Sequence, residues 1–364
     1  MRPLSSVMAV CVSALLLTSC GVGSSNTAVS PKKGDDITLG LLLPDRETSR
    51  FDKFDYPLFQ KEVGSLTHGK GKVSYANAEA SAKRQSQQFQ KMVADQVDVI
   101  VVDAVDAGAI QSDVQKAKDA GIPVIAYDRL AQGPIDAYVS HDNELVGEVQ
   151  GRAIVQALGD KAETSKIVMM NGSVADPNTA LFKKGALSEL NGKVVIAKQY
   201  DTKEWLPSVA KANMKKAIAS IGLNNIAAVY SANDGMAGAV IDELKESGVT
   251  KIPPVTGQDA NLDAVQRVVS GEQYMTVYKS FLQEATNAAQ IAVYKVQGRD
   301  LQFDALVRDK SDSPTEKDIP SVLVPVVALT QENIKQTVVK EGVYTVKQIC
   351  TSAFAADCAA IGLK

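Results

Sequence analysis

Short apolar runs that stop abruptly at bare polar side chains recur along this chain. Residues 122–127 end in Asp128-Arg129, residues 226–230 in Ser231, Asn233 and Asp234, and residues 254–257 in Gln258-Asp259. Between such runs lie longer amphipathic stretches. The pattern predicts strands at 37–43, 72–76, 97–102, 122–127 and 137–140, with helices at 52–66, 81–96 and 107–119. The second half repeats it, with strands at 166–170, 194–198, 226–230, 254–257 and 274–278 and helices at 179–190, 207–221, 235–247 and 262–270. This βαβ alternation calls for parallel sheets covered by helices on both faces. An open α/β sheet binds its ligand beyond the carboxyl ends of its strands, so polar groups gathered there define a candidate site.

The two halves match in detail. The unit running from 97–102 to Asp128 parallels the unit running from 226–230 to Asp259, which makes Asp128 and Asp259 equivalent positions in two similar lobes. After Tyr274 the chain offers one clear helix, 281–297, and one clear apolar strand, 321–329, too few for a third core. That segment is expected to complete the two lobes, which requires several crossings between them and hence a hinge.

Composition narrows the reading. Net charge is −3, which does not suit a nucleic-acid partner, and His68 and His141 are the only histidines, which speaks against a histidine-based metal or general-base site. Arg2 and the uncharged apolar run 7–17 read as an export signal too short to anchor in a bilayer. The run ends in Leu17-Thr18-Ser19-Cys20-Gly21, which resembles the bacterial lipoprotein box. Residues 1–20 are therefore read as a lipoprotein signal peptide with Cys20 lipidated, and 21–35, rich in Ser, Gly, Asn, Thr and Lys, as a flexible tether. The expected location is extracytoplasmic, held to the cell membrane by that lipid. Cys350 and Cys358 remain, and in an exported protein they are expected to pair.

The polar ends taken together resemble a known family. Ala126-Tyr127-Asp128-Arg129, Ser140-His141-Asp142-Asn143, Asn233-Asp234, Gly257-Gln258-Asp259-Ala260 and Met275-Thr276-Val277-Tyr278-Lys279 are similar in order and spacing to the periplasmic sugar-binding proteins of ABC importers. Asp176-Pro177-Asn178 and Glu204-Trp205-Leu206-Pro207 point to the branch that binds D-xylose. The resemblance covers about Ile37 to Gly342. It implies the type I fold: two Rossmann-like α/β lobes with parallel sheets, three crossovers, and a monosaccharide clamped between. The expected lobes are 36–141 with about 280–310, and 142–279 with about 320–364. Carried over by residue, the implied ligand set is Arg50, Phe51, Asp128, Arg129, Asp176, Asn178, Trp205, Asn233, Asp259 and Lys279. Phe51 departs from the pattern, since xylose binders tend to have Trp there.

These residue types suit a sugar on their own terms. Carboxylates accept protons from hydroxyls, Arg and Lys donate to hydroxyl oxygens, and Asn does both. Aromatic rings suit the C–H faces of a pyranose. Trp205, the sole tryptophan, sits at a polar loop edge where stacking is expected over core filling. Three other chemistries fit poorly. A glycosidase needs one protonated carboxylic acid, and carboxylates beside Arg or Lys are expected to have lowered pKa values. Residues 259–263 mimic the start of a calcium loop, but Ala264 and Ser270 occupy its glycine and final glutamate positions. No nucleotide-binding glycine motif follows a strand. The expectation is a monomeric, cofactor-free and metal-free receptor, not an enzyme, that delivers its sugar to membrane permease subunits. A sugar sensor signalling through a membrane kinase or chemoreceptor is the alternative.

Overall fold

The computed structural model describes residues 32–48 and 50–364. The expected signal peptide, Cys20 and the tether up to residue 31 lie outside the described residues.

Two sheets organise the chain. The first contains β1 (Thr38–Leu43), β2 (Lys72–Asn77), β3 (Val99–Val102), β4 (Val124–Tyr127) and β5 (Ala137–His141). It is extended by β10 (Asp309–Ser311) and β11 (Ile319–Val324), in the order β2-β1-β3-β4-β5-β11-β10. All its pairings are parallel except β10 with β11. Its central strands are buried on both faces, as their unbroken Val, Ile and Leu runs require. One face packs on α1 (Tyr56–Leu66) and α9 (Phe281–Gln297), the other on α2 (Ala82–Ala94) and α3 (Gln111–Asp119).

The second sheet is built on β6 (Lys166–Asn171), flanked by β7 (Val195–Asp201) and β8 (Ala228–Ser231). Residues 254–258 bridge β8 to β9 (Thr276–Lys279), through Val229 with Val255 and Gln258 with Val277. β12 (Val326–Leu329) closes the edge antiparallel to β9. The expected strand at 254–257 is thus one bridge wide, because Pro253 and Pro254 offer no N–H to a ladder. α4 (Asn143–Leu158) and α5 (Pro177–Leu190) cover one face, and α6 (Pro207–Ile221) and α7 (Asp234–Glu246) the other. α8 (Leu262–Ser270) and the tail helices Val346–Ile349 and Ala355–Ala360 form a further apolar cluster. Cys350 and Cys358 are disulfide-bonded within that tail, with Cα atoms 5.9 Å apart.

The chain passes between lobes at three places: between β5 and α4, between β9 and α9, and between β11 and β12. The last corrects the sequence reading. Residues 321–329 are not one strand but two, broken at Pro325, and the first of them pairs with β5 in the first sheet. The return to the second lobe therefore falls at Pro325, later than the expected 320.

Two other corrections have clear causes. No helix was expected over Asn143–Leu158, because Gly147 and Gly151 interrupt its pattern. Those glycines are there for contact with α5. A Cβ at Gly147 would stand 2.0 Å from the Phe182 carbonyl oxygen, and one at Gly185 would stand 1.9 Å from that of Glu144. Tertiary packing here overrides helix propensity. The expected tether through Asp35 is also too long, since its last residues are docked on the first lobe. Lys33 N–H donates to the Val296 carbonyl, and its Nζ pairs with Asp98 at 2.8 Å. Among the described residues no helix is long and apolar enough to cross a membrane.

Candidate functional site

The carboxyl ends of both sheets face one cavity of about 350 Å³. All ten residues expected from the sequence line it: Arg50, Phe51, Asp128, Arg129, Asp176, Asn178, Trp205, Asn233, Asp259 and Lys279. Thr48, Phe182 and Gln258 also line it and were not expected. Gln258 sat inside the quoted Gly257-Gln258-Asp259 segment and could have been taken with it. Phe182 reads as core from its place in α5, and Thr48 carries no signal of its own. Its loop is folded locally, with Thr48 N–H donating to Asp45 Oδ1 at 2.8 Å.

Each lobe supplies its groups by the same device. Asp128 follows β4 with φ 56°, and its N–H donates to the Val139 carbonyl at 2.9 Å. Asp259 follows residues 254–258 with φ 95°, and its N–H donates to the Val277 carbonyl at 2.9 Å. Both left-handed residues sit just beyond a strand and are tied to the next one, so the backbone turns each carboxylate into the cleft. The sequence equivalence of the two aspartates is thus also a conformational one. In the second lobe Asp176 and Asn233 cap helices: Asp176 Oδ1 accepts from Asn178 N–H, and Asn233 Oδ1 accepts from Met236 N–H.

The polar groups are already paired across the cleft. Arg129 of the first lobe lies 2.9 Å from Asp176 of the second, and also contacts Asp45 and Asp103. Asn178 Nδ2 donates to Asp128 Oδ1 at 3.0 Å. Arg50 lies 3.2 Å from Asp128, and Lys279 lies 3.0 Å from Asp259. The expected alternative of a surface ion pair between Asp128 and Arg129 does not describe them, since both are buried and each pairs elsewhere.

Aromatic groups close the cavity from both sides. Phe51 opens a one-turn π-helix, Phe51–Asp55, that leads into α1. Trp205 follows a short turn after β7, and both Glu204 and Trp205 are left-handed. Trp205 Nε1 donates to Asp176 Oδ2 at 3.1 Å, and its ring meets Phe182 edge-on at 6.3 Å. The indole therefore both packs into the second core and walls the cavity, combining the two roles the sequence set apart.

Burial and charge set the protonation states. Burial raises the Asp128 carboxyl, but Lys279, Arg50 and Arg129 together outweigh it and bring it down to about 2. Burial holds Asp176 above its ordinary range despite Arg129. The expectation that a nearby cation lowers every cleft carboxylate thus holds for Asp128 and fails for Asp176, where desolvation wins. The calcium-like segment is occupied internally: Asp259 faces Lys279, and Asp263 faces Arg267 at 2.6 Å. Asp128, His141 and Glu284 could offer three ligand atoms within 4.8 Å of one another. Arg50 already engages both of those carboxylates, so a divalent cation would have to displace a buried guanidinium.

Two lobes with facing strand ends, joined by three crossings around a polar cleft, are the architecture of a hinged solute-binding protein. The pattern of the periplasmic binding protein domain family matches residues 40–300, and the chain belongs to that family. It is 33% identical to the D-xylose-binding periplasmic protein of Haemophilus influenzae, over 90% of this chain and 96% of the relative. The D-xylose-binding periplasmic protein of Escherichia coli K12 is likewise 33% identical, over the same shares. Among solved structures, an ABC transporter solute-binding protein from Clostridium phytofermentans with bound β-D-glucose superposes with a TM-score of 0.78. It is 25% identical, with 86% of this chain and 99% of that one covered.

Proposed function

We propose that this protein is an extracytoplasmic receptor that captures a monosaccharide, D-xylose first, and delivers it to the permease subunits of an ABC importer. One observation carries the reading: a small cavity between two lobes, lined alternately by carboxylates and cations and walled by one aromatic from each lobe, Phe51 and Trp205. Its volume lies at the small end for ligand pockets, which suits one sugar ring rather than a chain of them. Hydroxyls can insert between charges that already face each other, accepting from Arg50, Arg129 and Lys279 and donating to Asp128, Asp176 and Asp259. The relatives named for D-xylose support that sugar, and the neighbour holding β-D-glucose makes glucose the first competitor. Binding rather than conversion fits the pairing of every cavity carboxylate named here with a cation. Lipidation of Cys20 would hold the receptor at the membrane.

The test is a thermal-shift screen of residues 36–364 against common monosaccharides, followed by calorimetry. D-Xylose at about 100 times its Kd raises stability by roughly 2.7 kcal/mol. A response to ribose or arabinose without one to xylose rejects the assignment of the sugar. Turnover of an aryl xyloside that vanishes in Asp128→Asn rejects the receptor. For the anchor, Cys20→Ala releases the protein or leaves it unprocessed, and an acyl-free wild type with another amino terminus counts against it.

A further inference from the structure

Behind the cavity lies a buried polar group that ligand contact does not explain. Glu284, in the first turn of α9, is fully buried, and its Oε2 accepts from Arg50 at 2.5 Å. Its Oε1 has no hydrogen-bond partner among the described residues but faces His141 Nδ1 at 3.5 Å. His141 ends β5, at the first crossing between lobes, and its ring also meets the backbone of Ser280, at the second. Arg50 is held further by Asp55 at 3.0 Å and by the Tyr127 hydroxyl at 3.3 Å, and it reaches Asp128 in the cavity at 3.2 Å. An unbroken string of side chains therefore runs from the cavity, through Arg50 and Glu284, to two of the three chain crossings.

We propose that Glu284 is a positioning residue for the sugar site: it aims Arg50 at Asp128 and, through a proton shared with His141, fixes that cation to both crossings. This rests on the receptor reading above.

The charge count explains why a proton belongs there. One guanidinium, Arg50, faces three acids, Asp55, Asp128 and Glu284, with Lys279 as the other cation facing Glu284. The groups around Glu284 are thus Arg50 and Asp55 from the π-turn, Tyr127 and Asp128 from β4 and its end, His141 from β5 and Lys279 from β9. Full ionisation of three buried acids against one close cation is unfavourable, and one acid keeps its proton. Burial, only partly offset by Arg50, pushes Glu284 up to about 8, while Asp128 is held at about 2. Burial also pushes His141 well below its ordinary range, leaving a neutral ring. A neutral acid opposite a neutral imidazole lets Glu284 Oε1–H donate to His141 Nδ1, which satisfies the unpaired oxygen. With Glu284 neutral, the Arg50 charge is left to Asp128 and the sugar. Loss of the proton places a second full negative charge on the far side of Arg50 and draws it from the cavity.

Calorimetry with D-xylose between pH 6 and 9 tests this. In the wild type, Kd is flat to about pH 7.5 and weakens about tenfold by pH 9, since one unit beyond a titration midpoint is a factor of ten. Glu284→Gln, which keeps the shape of the protonated acid, binds within about tenfold of wild type at pH 7 and loses the alkaline arm. His141→Asn removes the acceptor and moves the arm to lower pH. A purely structural Glu284 would lower the melting temperature of the variants but leave the pH profile of Kd in place. An alkaline arm that survives in Glu284→Gln, or a flat wild-type profile with binding present, overturns this inference alone. Absence of any sugar binding to wild type overturns the receptor reading and this inference together.

Discussion

Gly172→Ala provides a direct test of how the second lobe presents its aromatic wall. Gly172 follows β6, and a Cβ built there stands 2.0 Å from Trp205 Cη2, 2.3 Å from Cζ2 and 2.6 Å from Thr179 Oγ1. Separations this short cannot persist, and the φ of Gly172 is not one of the positive ones, so the effect is steric rather than conformational. The backbone at this point is tied to the turn, since Thr202 N–H donates to the Gly172 carbonyl. The indole is therefore what must move. Overpacking of this kind costs about 1–3 kcal/mol of stability. Displacing the ring also loses its stacking on a sugar, about 0.5–1.5 kcal/mol, and its hydrogen bond to Asp176, about 0.5–1.5 kcal/mol. The affinity loss is then about 1–3 kcal/mol, or roughly five- to 150-fold in Kd. Trp205 is the only tryptophan, so its fluorescence reports the displacement without a label. The expected result is red-shifted emission in the free protein and weaker binding by calorimetry. Unchanged emission together with unchanged Kd would refute the claim that Gly172 seats the indole against the cavity.

Gly185→Ala is expected to lower stability by about 3 kcal/mol or more, because the new methyl meets the Glu144 carbonyl of α4 rather than a side chain that can swing away; thermal melts check this. Asp259→Asn should weaken sugar binding at least tenfold by calorimetry, whereas Asp259→Ala should also destabilise the fold by about 3–5 kcal/mol because it strands the buried Lys279 ammonium. Asp128, held down to about 2, contributes stability that is complete above its unfolded value near 4 and disappears as pH falls through 2. Asp128→Asn therefore flattens the acid limb of the melting profile in that window. Reduction of Cys350–Cys358, or Cys350→Ser, opens a short loop in the tail cluster and is expected to cost about 2–3 kcal/mol while leaving sugar affinity unchanged.

Most of the fold was legible because its signals are local. Buried parallel strands announce themselves as unbroken apolar runs, and the polar residue after each run marks the cleft. That is why Asp128, Asn233 and Asp259 could be placed without coordinates. The misses share a different cause, which is tertiary. α4 was hidden by Gly147 and Gly151, whose value appears only when α5 lies against them. The last crossing was misplaced because β11 and β12 are nearly continuous in sequence, and only the sheet pairing shows Pro325 dividing them. Glu284 and His141 lay unmarked at the start of a helix and the end of a strand. Nothing in their spacing shows that the fold brings them together behind Arg50.

The pre-paired charges bear on how the receptor moves. Arg129 with Asp176 and Asp128 with Asn178 join opposite lobes, so each contact exists only when the cleft is shut. Arg50 with Glu284 and Lys279 with Asp259 lie on one side each and can persist when it opens. Opening therefore releases the first two contacts to water but keeps the site half-assembled on each lobe. A ligand that bound one lobe alone would meet the same groups in either state and could not shift the balance. A sugar that bridges Asp128 and Arg129 to Asn178 and Asp259 gains contacts only on closure. To move the population from one closed molecule in a hundred to ninety-nine, that differential must be about 5.5 kcal/mol. Four bridging hydrogen bonds to charged groups, at about 1.5–3 kcal/mol each, are enough, and two fall at the margin. Small-angle scattering should accordingly show full closure with sugar in the wild type. In Asn178→Ala, saturation should be reached with a larger radius of gyration. Equal compaction of the two proteins would mean that the interlobe contacts are spectators and that closure is driven from elsewhere.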